Sequence, residues 1–329
     1  MQKLNFENKY DILIGDNIIN HINEYIDEDT NILIISDDNV SKYHLENFKK
    51  VLNNKNIYTY VINNGEENKS IINYQNITKY LLDNNFTRND YIINLGGGVV
   101  SDLGGFVAST FKRGIRYINI PTTTLAMIDS SIGGKVAINF DGYKNEVGSF
   151  YNPTLVFIDL MYLKTLDKRN YYNGLVEGLK MSLLDSKEFL DLFNDINNNL
   201  EKIILKSLEY KIKIVTIDPF DKGIRKVLNF GHTIAHAIEA KYMGQIYHGE
   251  AVAYGMIPFI ESNELKEKVL KILNNMNIII DDTKYQDLKT YIRCDKKCKL
   301  INNKLFVNVI KLKDINNYYF EDLDIEKFN

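Results

Sequence analysis

The first half of the chain alternates short apolar runs with longer polar stretches, and this alternation constrains its fold more than any other feature. The apolar runs have the length and the β-branched or aromatic content of buried strands. They are 31–35, 57–62, 91–95, 117–120 and 155–158. Helical patterns occupy 39–53 and 70–84, between the first three runs. Strands that alternate with helices predict a mostly parallel sheet covered by helices, which is an α/β fold.

The pattern changes near residue 160, where long helical stretches with few Pro or Gly residues begin. These stretches are 171–194, 198–217, 230–242, 249–265 and 265–276. A short β-hairpin is expected after them, with 298–301 and 304–310 flanking Asn302-Asn303. The sequence therefore predicts two domains, an α/β domain over 1–160 and a mainly α-helical domain over 161–329.

Composition argues against several classes of function. The formal net charge is −3 and no long run of Lys and Arg occurs, so neither nucleic acid nor an anionic membrane surface is an expected partner. No run of 18 apolar residues occurs, and the first residues lack the apolar stretch of a signal peptide. The two cysteines, Cys294 and Cys298, are expected to be free thiols in a reducing cytoplasm. An anionic substrate would need positive charge gathered locally in a pocket.

A cluster of glycines follows the predicted strand 91–95. Residues 96–98 are all glycine, and two more glycines follow at 104 and 105. Glycines where a strand leads into a helix let backbone N–H groups approach a phosphate closely, although a tight turn would also use them. In the common dinucleotide fingerprint an acidic residue follows the glycines. Here the best acidic candidate, Asp37, precedes them.

Three of the five histidines lie near one another in the sequence and are candidate metal ligands. His232 and His236 are four residues apart on a predicted helix, a spacing that can chelate zinc, and His248 precedes another helix. Glu177 could add a carboxylate, with Lys180 on the same helix face. Spacing alone leaves two alternatives open: ordinary core or surface histidines, and an ordinary ion pair on a helix surface.

Six stretches, in order along the chain, resemble the 3-dehydroquinate synthase family of sugar phosphate cyclases. They are GGGVVSDLGGFVAS, RGIRYINIPTTTLAMIDSSIGGKVAIN, KNEVGSFYNP, NGLVEGLK, LNFGHTIAHAIE and HGEAVA. The resemblance implies an α/β nucleotide-binding domain followed by a mainly α-helical domain. It also implies NAD, one divalent metal (zinc or cobalt) and a homodimer. The implied reaction, in the shikimate pathway, converts 3-deoxy-D-arabino-heptulosonate 7-phosphate to 3-dehydroquinate and phosphate.

The resemblance also assigns roles to individual residues. The metal ligands would be Glu177, His232 and His248, with His236 facing the substrate phosphate and not the metal. NAD contacts would be Asp37, Asn39, Glu66, Lys69, Gly97, Gly98, Asp102, Thr122, Thr123, Lys144, Thr165 and Leu166. Substrate and catalytic contacts would be Lys180, Asp129, Lys135, Asn229, His236, Arg225, Lys211, Asn145 and one of Lys296 or Lys297. Arg113 would reach the phosphate from the dimer partner.

Two departures from the family pattern bear on the NAD contacts. Ser101 stands where glycine is usual, beside the pyrophosphate turn. Asn170 stands where a Glu that contacts the cofactor is common. Neither departure touches a metal ligand implied by the resemblance.

Three other functions compete with the dehydroquinate reaction. An aminocyclitol-forming cyclase would alter the grip on the substrate carboxylate, which Arg225 and Lys211 would provide here. A polyol dehydrogenase of the glycerol dehydrogenase type would not need Lys135 and His236 together. A non-catalytic binding protein would not need the complete set of metal ligands. The residues present favour the dehydroquinate reaction over all three.

Overall fold

The structure, a computed structural model, describes residues 1–7, 9–293, 298–301 and 303–328. Contacts divide the chain into two compact units, residues 1–171 and 172–329. No helix within the described ranges is long and apolar enough to cross a membrane.

The division between the units falls later than the position near 160 expected from the sequence pattern. Residues 161–171 lie in the first unit because their side chains pack against it and their carbonyl groups accept hydrogen bonds from it. Tyr162 packs edge-on against His44, with ring centroids 4.9 Å apart. Thr124 donates a hydrogen bond to the carbonyl oxygen of Tyr171 (2.8 Å). Packing therefore continues beyond the last strand of the sheet, which a periodicity pattern does not register.

The first unit contains nine described strands and four described α-helices. The strands are β1 Gln2–Phe6, β2 Tyr10–Gly15, β3 Ile32–Asp37, β4 Ile57–Ile62, β5 Tyr91–Gly96, β6 Arg116–Pro121, β7 Lys135–Phe140, β8 Tyr143–Phe150 and β9 Leu155–Asp159. The α-helices are α1 Asp38–Val40, α2 Glu46–Val51, α3 Ile71–Asp83 and α4 Gly98–Thr110. Shorter turns are the 3-10 helices Ile19–Glu24, Glu66–Asn68, Phe111–Arg113 and Leu160–Thr165 and the π-helices Ser41–Leu45 and Ala126–Ser130. All five predicted strands are present, which confirms the α/β fold of this unit.

Seven of these strands form one sheet in the order β1-β2-β9-β6-β5-β3-β4. Only β1 runs antiparallel to its neighbour, and every other pair is parallel. The chain leaves β3 towards β4 on one side and leaves β5 towards β6 on the other. Strands β3 and β5 are neighbours, so the sheet has a topological switch point at their carboxyl ends. Open parallel sheets bind ligands at such a point.

Helix α4 packs on the sheet through Leu103 and Val107, both fully buried. The β7–β8 hairpin closes over the same helix with its inward-facing side chains Val136 and Ile138. Burial alternates along β7, as expected for a half-buried strand, whereas β8 is exposed along nearly its whole length. The helix that begins at the glycine cluster is therefore held between the sheet and the hairpin.

The second unit is mainly α-helical and ends in a three-stranded antiparallel sheet. Its α-helices are α5 Lys168–Asp185, which starts in the first unit, α6 Lys187–Asp191, α7 Ile196–Ile217, α8 His232–Tyr242, α9 His248–Met256, α10 Asn263–Asn275 and α11 Lys289–Ile292. Its 3-10 helices are Leu192–Asp195, Ile224–Asn229, Ile257–Phe259, Asp282–Tyr285 and Ile325–Lys327. Its strands are β10 Cys298–Ile301, β11 Lys304–Asp314 and β12 Asn317–Asp324, in the order β10-β11-β12.

Two predicted helices of this unit are shorter in the structure. The expected helix 171–194 is broken at Ser186, whose hydroxyl accepts a hydrogen bond from the backbone of Phe189 (3.3 Å) and so begins a new helix. The expected helix 249–265 ends at Met256, because Pro258 cannot donate the next hydrogen bond of an α-helix. The predicted hairpin of β10 and β11 is confirmed, and β12 extends it.

Candidate metal and nucleotide sites

Three helices of the second unit each bring one candidate ligand to a common point. Glu177 lies on α5, His232 is the first residue of α8, and His248 is the first residue of α9. One ligand atom from each residue lies within 4.8 Å of the other two. The Glu177 Oε1 atom is 3.4 Å from His248 Nε2 and 3.7 Å from His232 Nε2. Glu177 is thus brought to two histidines that follow it by 55 and 71 positions in the sequence.

Helices α8 and α9 can meet at this point because their backbones touch. A Cβ added to Gly255 of α9 would lie 1.9 Å from the carbonyl oxygen of Gly231, the residue just before α8. Gly231 itself has a left-handed backbone with φ +80°, which glycine adopts without strain. This contact places the first turn of α8, and therefore His232, against α9.

The Nδ1 atom of both candidate ligands, His232 and His248, lies beside a hydrogen-bond acceptor. His248 Nδ1 lies 3.3 Å from Glu239 Oε1, and His232 Nδ1 lies 3.2 Å from the carbonyl oxygen of Phe230. Burial opposes the charged form of His248, but its hydrogen bonds to Glu177 and Glu239 raise its pKa to about 10, so without a metal its Nε2 carries a proton directed at Glu177. Metal-binding histidines are commonly oriented by such carboxylate or carbonyl partners.

Glu177 is 1% exposed and carries negative charge in a positive environment. Burial alone would raise the pKa of its carboxyl, but Lys180 and the two histidines lower that pKa well below its usual range. Lys180 donates one hydrogen bond to Glu177 and another to the carbonyl oxygen of Leu228. Burial and the charge on Lys180 together keep the pKa of His232 well below its usual value, so its ring is neutral.

The three side chains fit a divalent metal ion. The buried Glu177 Oε1 has no hydrogen-bond partner among the described residues. An ionised carboxylate oxygen and two imidazole nitrogens are a donor set that zinc and similar transition metals accept. Three protein ligands also leave coordination positions open, as a catalytic site requires.

His236 is not brought into this group. It lies one turn after His232 on α8, with the two ring centroids 5.5 Å apart, and its side chain is exposed. The alternative suggested by helix spacing, in which His232 and His236 chelate one ion, is therefore replaced by the grouping of His232 with His248.

Other predicted substrate residues of the second unit lie on elements near Lys180. Arg225 and Asn229 belong to the 3-10 helix Ile224–Asn229, whose Leu228 carbonyl accepts from Lys180. Arg225 is buried and donates to the carbonyl oxygen of Pro219 (2.8 Å). Lys211 is buried on α7. Lys296 and Lys297 lie outside the described residues.

In the first unit, the glycine cluster lies at the switch point of the sheet. A Cβ added to Gly97 would be 3.2 Å from the Thr123 side chain, and one added to Gly98 would be 3.2 Å from Ser130 Oγ. The buried Thr122 hydroxyl has no hydrogen-bond partner among the described residues. A glycine backbone, the N-terminus of α4 and an unused hydroxyl together fit a phosphate group.

Asp37 ends β3, beside this cluster. Ser36 donates a hydrogen bond to the carbonyl oxygen of Leu95 (2.8 Å), which ties the end of β3 to the end of β5. Asp37 itself accepts from the backbone of Val40 (3.0 Å), and burial raises the pKa of its carboxyl. Asn39 is exposed on α1, two residues further on. The acidic residue can therefore precede the glycines in sequence and still lie at their edge of the sheet.

Lys69 is the centre of a second polar group in this unit. Its ammonium lies 2.9 Å from Asp102 Oδ2 and 3.3 Å from Glu66 Oε1, and it donates to Asn145. Burial opposes the charged form of Lys69, but the carboxylates of Asp102 and Glu66 outweigh it and raise its pKa. Four predicted contact residues are thus brought together by one buried cation.

The remaining predicted residues of the first unit are spread over its loops and strand ends. Thr165 lies 2.6 Å from His44 Nε2, next to the half-buried Leu166. Arg113 is exposed and has a left-handed backbone, φ +64°. The others are Asp129 on the π-helix Ala126–Ser130, Lys135 at the exposed start of β7, Lys144 exposed on β8, and the departures Ser101 on α4 and Asn170 on α5.

Three residues of these groups were missed by the sequence analysis. Asn139 donates to Glu66 Oε1 (2.9 Å) and accepts from the backbone of Asn145 (3.1 Å). Glu239 holds His248, and its spacing of seven from His232 places both on one face of α8. Asn173 binds the start of α9. Only Glu239 carried a signal in the sequence, since the other two act through contacts distant in the chain.

Solved structures with this fold include sugar phosphate cyclases. A 2-deoxy-scyllo-inosose synthase, solved with carbaglucose-6-phosphate, NAD+ and Co2+, aligns with a TM-score of 0.85 and 26% identity, covering 98% of this chain and 96% of its own. A 2-epi-5-epi-valiolone synthase from Streptomyces hygroscopicus, solved with NAD+ and Zn2+, aligns with a TM-score of 0.80 and 20% identity, covering 100% and 96%. The two-unit architecture is the fold of this class.

Sequence comparison narrows the class to one family. Residues 59–173 match the family described as 3-dehydroquinate synthase N-terminal, and residues 174–298 match 3-dehydroquinate synthase C-terminal. The 3-dehydroquinate synthase of Clostridium acetobutylicum is 38% identical over 97% of this chain and 94% of its own length. A bifunctional 3-dehydroquinate synthase/phosphatase of Fusobacterium nucleatum is 43% identical over 79% of this chain, which spans 41% of that longer protein. The chain belongs to the 3-dehydroquinate synthase family.

Proposed function

We propose that the protein is a 3-dehydroquinate synthase, which converts 3-deoxy-D-arabino-heptulosonate 7-phosphate to 3-dehydroquinate and phosphate. The observation that carries the proposal is the 38% identity to a 3-dehydroquinate synthase over nearly the whole of both chains. The grouping of Glu177, His232 and His248 within 4.8 Å supports it, because the reaction needs a metal site.

An aminocyclitol-forming cyclase is the nearest alternative, since one such enzyme shares the fold at 26% identity. Curated 3-dehydroquinate synthases are more similar, at 36–43% identity. Arg225 and Lys211, which would hold the substrate carboxylate, are both present and buried. A carboxylate is the group that distinguishes the two classes of substrate, so these cations favour the heptulosonate phosphate.

The chemistry of the two cofactors sets the roles of the protein groups. When bound, NAD supplies a temporary hydride acceptor that makes a ring carbon a ketone, and the metal supplies a Lewis acid for the hydroxyl at that carbon. Glu177, His232 and His248 would hold the metal. Asp37, the Gly97–Gly98 backbone and the group around Lys69 would hold NAD.

The protein's own cations would orient the substrate. Arg225 offers a planar fork that matches a carboxylate, and Lys211 adds a second charge. Lys135, Asn145 and His236 would bind the phosphate that leaves. Lys180 would donate a hydrogen bond to the hydroxyl that is oxidised. Fixing both anionic ends of a substrate can be worth up to about 7–11 kcal/mol of the barrier in ideal cases.

We also propose a homodimer located in the cytoplasm. Four large side chains are exposed on the β7–β8 hairpin: Phe140, Tyr143, Val147 and Phe150. A second copy of the chain, the partner that the family resemblance implies, would cover exposed apolar side chains of this kind. Two cysteines in 329 residues suit a reducing compartment. Light scattering of the purified protein would measure the mass of the assembly.

The deciding experiment is phosphate release from the heptulosonate phosphate with a catalytic amount of NAD and one equivalent of zinc or cobalt. Many turnovers per NAD are expected, with no net rise in NADH absorbance, because the ketone is reduced again within each turnover. NADH accumulating in step with substrate loss would instead indicate a polyol dehydrogenase. No phosphate release from this substrate, with release from glucose 6-phosphate, would indicate an aminocyclitol-forming cyclase.

A further inference from the structure

The start of α9 is bonded by a side chain from a different helix. The first turn of any α-helix leaves backbone N–H groups without partners inside the helix. In α9, Asn173 Oδ1 accepts hydrogen bonds from two of these groups, on Gly249 (2.6 Å) and Glu250 (3.3 Å). Asn173 lies on α5, 76 residues earlier than Gly249, and is itself buried. The backbone N–H of Tyr247 donates locally to Glu250 (2.9 Å), and Asn173 adds a capping contact from a distance, whereas a cap usually comes from the residue just before a helix.

This bond joins two elements that carry candidate metal ligands. Glu177 follows Asn173 by one turn of α5, and His248 immediately precedes Gly249. The two backbones are in contact at the same place, since a Cβ added to Gly249 would lie 1.9 Å from the carbonyl oxygen of Asn173. The position of His248 relative to Glu177 therefore depends on how the first turn of α9 is held against α5.

We infer that Asn173 is a positioning residue for the metal site. Its side chain fixes the first turn of α9 on α5 and so sets the 3.4 Å separation between His248 Nε2 and Glu177 Oε1. Among the described residues, Asn173 makes its side-chain hydrogen bonds to the backbone of α9 and none to either ligand side chain. The inference rests on the proposed function in one respect, namely that Glu177, His232 and His248 bind a metal ion.

A purely structural cap makes a different prediction from a positioning residue. The unit contains such a cap in Ser262, whose hydroxyl accepts from the backbone of Leu265 (3.3 Å) at the start of α10. That cap is local to its own helix, and α10 carries no candidate ligand. Loss of a local cap should lower stability without changing metal affinity. Loss of Asn173 should change metal affinity, because it frees one ligand from the helix that carries another.

The test uses two isosteric variants and measures cobalt affinity of the full chain. Asn173→Leu keeps the size of the side chain and removes the acceptor, whereas Asn173→Asp keeps the acceptor. Apo protein is titrated with Co2+, and its visible absorption is followed. The Leu variant is expected to bind Co2+ about 10–100-fold more weakly than the unmodified protein, the usual cost of losing a group that supports a ligand. The Asp variant is expected to bind within a few-fold, about 3-fold, of the unmodified protein.

Ser262→Ala is the matched control and should lower the unfolding midpoint with unchanged Co2+ affinity. Unchanged Co2+ affinity in Asn173→Leu, whatever its stability, would overturn the inference while leaving the metal site intact. If the Leu variant does not fold, Asn173→Ser takes its place, because its shorter hydroxyl should give an intermediate affinity. Failure of the unmodified protein to bind one Co2+ would instead reject the proposed metal site, and this inference with it.

Discussion

Lys180 donates a hydrogen bond to the carboxylate of Glu177, three residues earlier on α5, and both side chains are at most 2% exposed. A buried ion pair of this kind contributes little net stability when complete, yet removing one partner leaves the other charge buried and unpaired. Lys180 therefore stabilises the metal-free site by compensating the charge of Glu177.

Replacing Lys180 should destabilise the metal-free protein. In Lys180→Met the buried Glu177 loses its cation, at a cost of about 3–5 kcal/mol in the free energy of unfolding. Urea denaturation with a chelator present measures this. The control is Lys206→Met, since Lys206 pairs with Glu209 at the same spacing on an exposed face (2.8 Å), where such a pair is worth about 0–1 kcal/mol. Equal stability losses in the two variants would contradict the argument.

Removal of any one metal ligand should abolish bound metal and turnover together. Glu177→Gln, His232→Ala and His248→Ala are each expected to retain less than about a tenth of the bound metal after dialysis, since three protein ligands are the minimum of a catalytic zinc site. Metal analysis of the purified variants is the measurement. His236→Ala should keep its metal, because His236 lies outside the group. Retained metal in His248→Ala with loss in His236→Ala would restore the helix-spacing alternative.

Glu239 should tune the metal affinity through His248. Glu239→Ala removes the acceptor of the Nδ1 proton, so the ring loses its fixed orientation and Co2+ should bind about 10–100-fold more weakly. Glu239→Gln keeps an acceptor without the charge and should lie between. Glu261→Gln, which alters a surface contact with Tyr319 (2.6 Å), is the control. Identical Co2+ affinities in all three variants would show that His248 needs no support from Glu239.

Asp37 should determine NAD affinity by accepting from a ribose hydroxyl. Asp37→Asn keeps an oxygen that can cap Val40 but loses the charge. The expected loss is about 1.5–3 kcal/mol, roughly tenfold to a hundredfold in the dissociation constant. Fluorescence titration with NAD measures it. Asp38→Asn, on the adjacent exposed residue that bonds Asn64 (2.9 Å), should bind NAD as the unmodified protein does. Equal weakening in both would assign the effect to the loop and not to Asp37.

The residues proposed to bind the substrate carboxylate and those proposed to bind its phosphate should affect different kinetic constants. Arg225→Gln should raise KM by about 30-fold or more, since truncating a buried charged pair costs at least about 2 kcal/mol. Lys135→Ala should depress kcat more than it raises KM, because it removes a charge where the phosphate leaves. Steady-state kinetics separate the two outcomes. A substrate analogue without the carboxylate is the further check, and it should bind the unmodified protein much more weakly than the substrate does.

Sequence pattern predicted the elements of this fold better than their ends. Five apolar runs became five strands, because buried parallel strands have a composition that helices rarely share. Strands β1, β2, β7, β8 and β12 were not predicted, and of these β1 and β8 are largely exposed and mix polar with apolar residues. The breaks at Ser186 and Met256 were missed because capping and a single proline act locally against a continuous apolar period.

For the candidate sites, too, the sequence predicted the residue types better than their arrangement. Residue type and resemblance predicted which side chains would form the metal group, but helix spacing alone favoured His236 over His248. That choice depends on the contact between α8 and α9, which no local pattern contains. Asp37 precedes the glycines, whereas the acidic residue of the common dinucleotide fingerprint follows them. The two lie at the same edge of the sheet because β3 and β5 are neighbours. The bond from Asn139 to Glu66 and those of Asn173 to α9 join residues distant in the chain.

The pairing of β2 with β9 determines when the first unit can fold. Asp11 in β2 lies opposite Leu155 in β9, and the Asp159 carboxylate accepts from the backbone of Asn17 (2.8 Å) and of Ile19 (2.9 Å). These contacts join residues about 140 positions apart, so their closure carries a large entropic cost and folding is slow for a chain of this size. During synthesis, β1 and β2 must wait for residue 159 to leave the ribosome. Until then one edge of the nascent sheet has no partner, and this interval is when the chain is most exposed to aggregation.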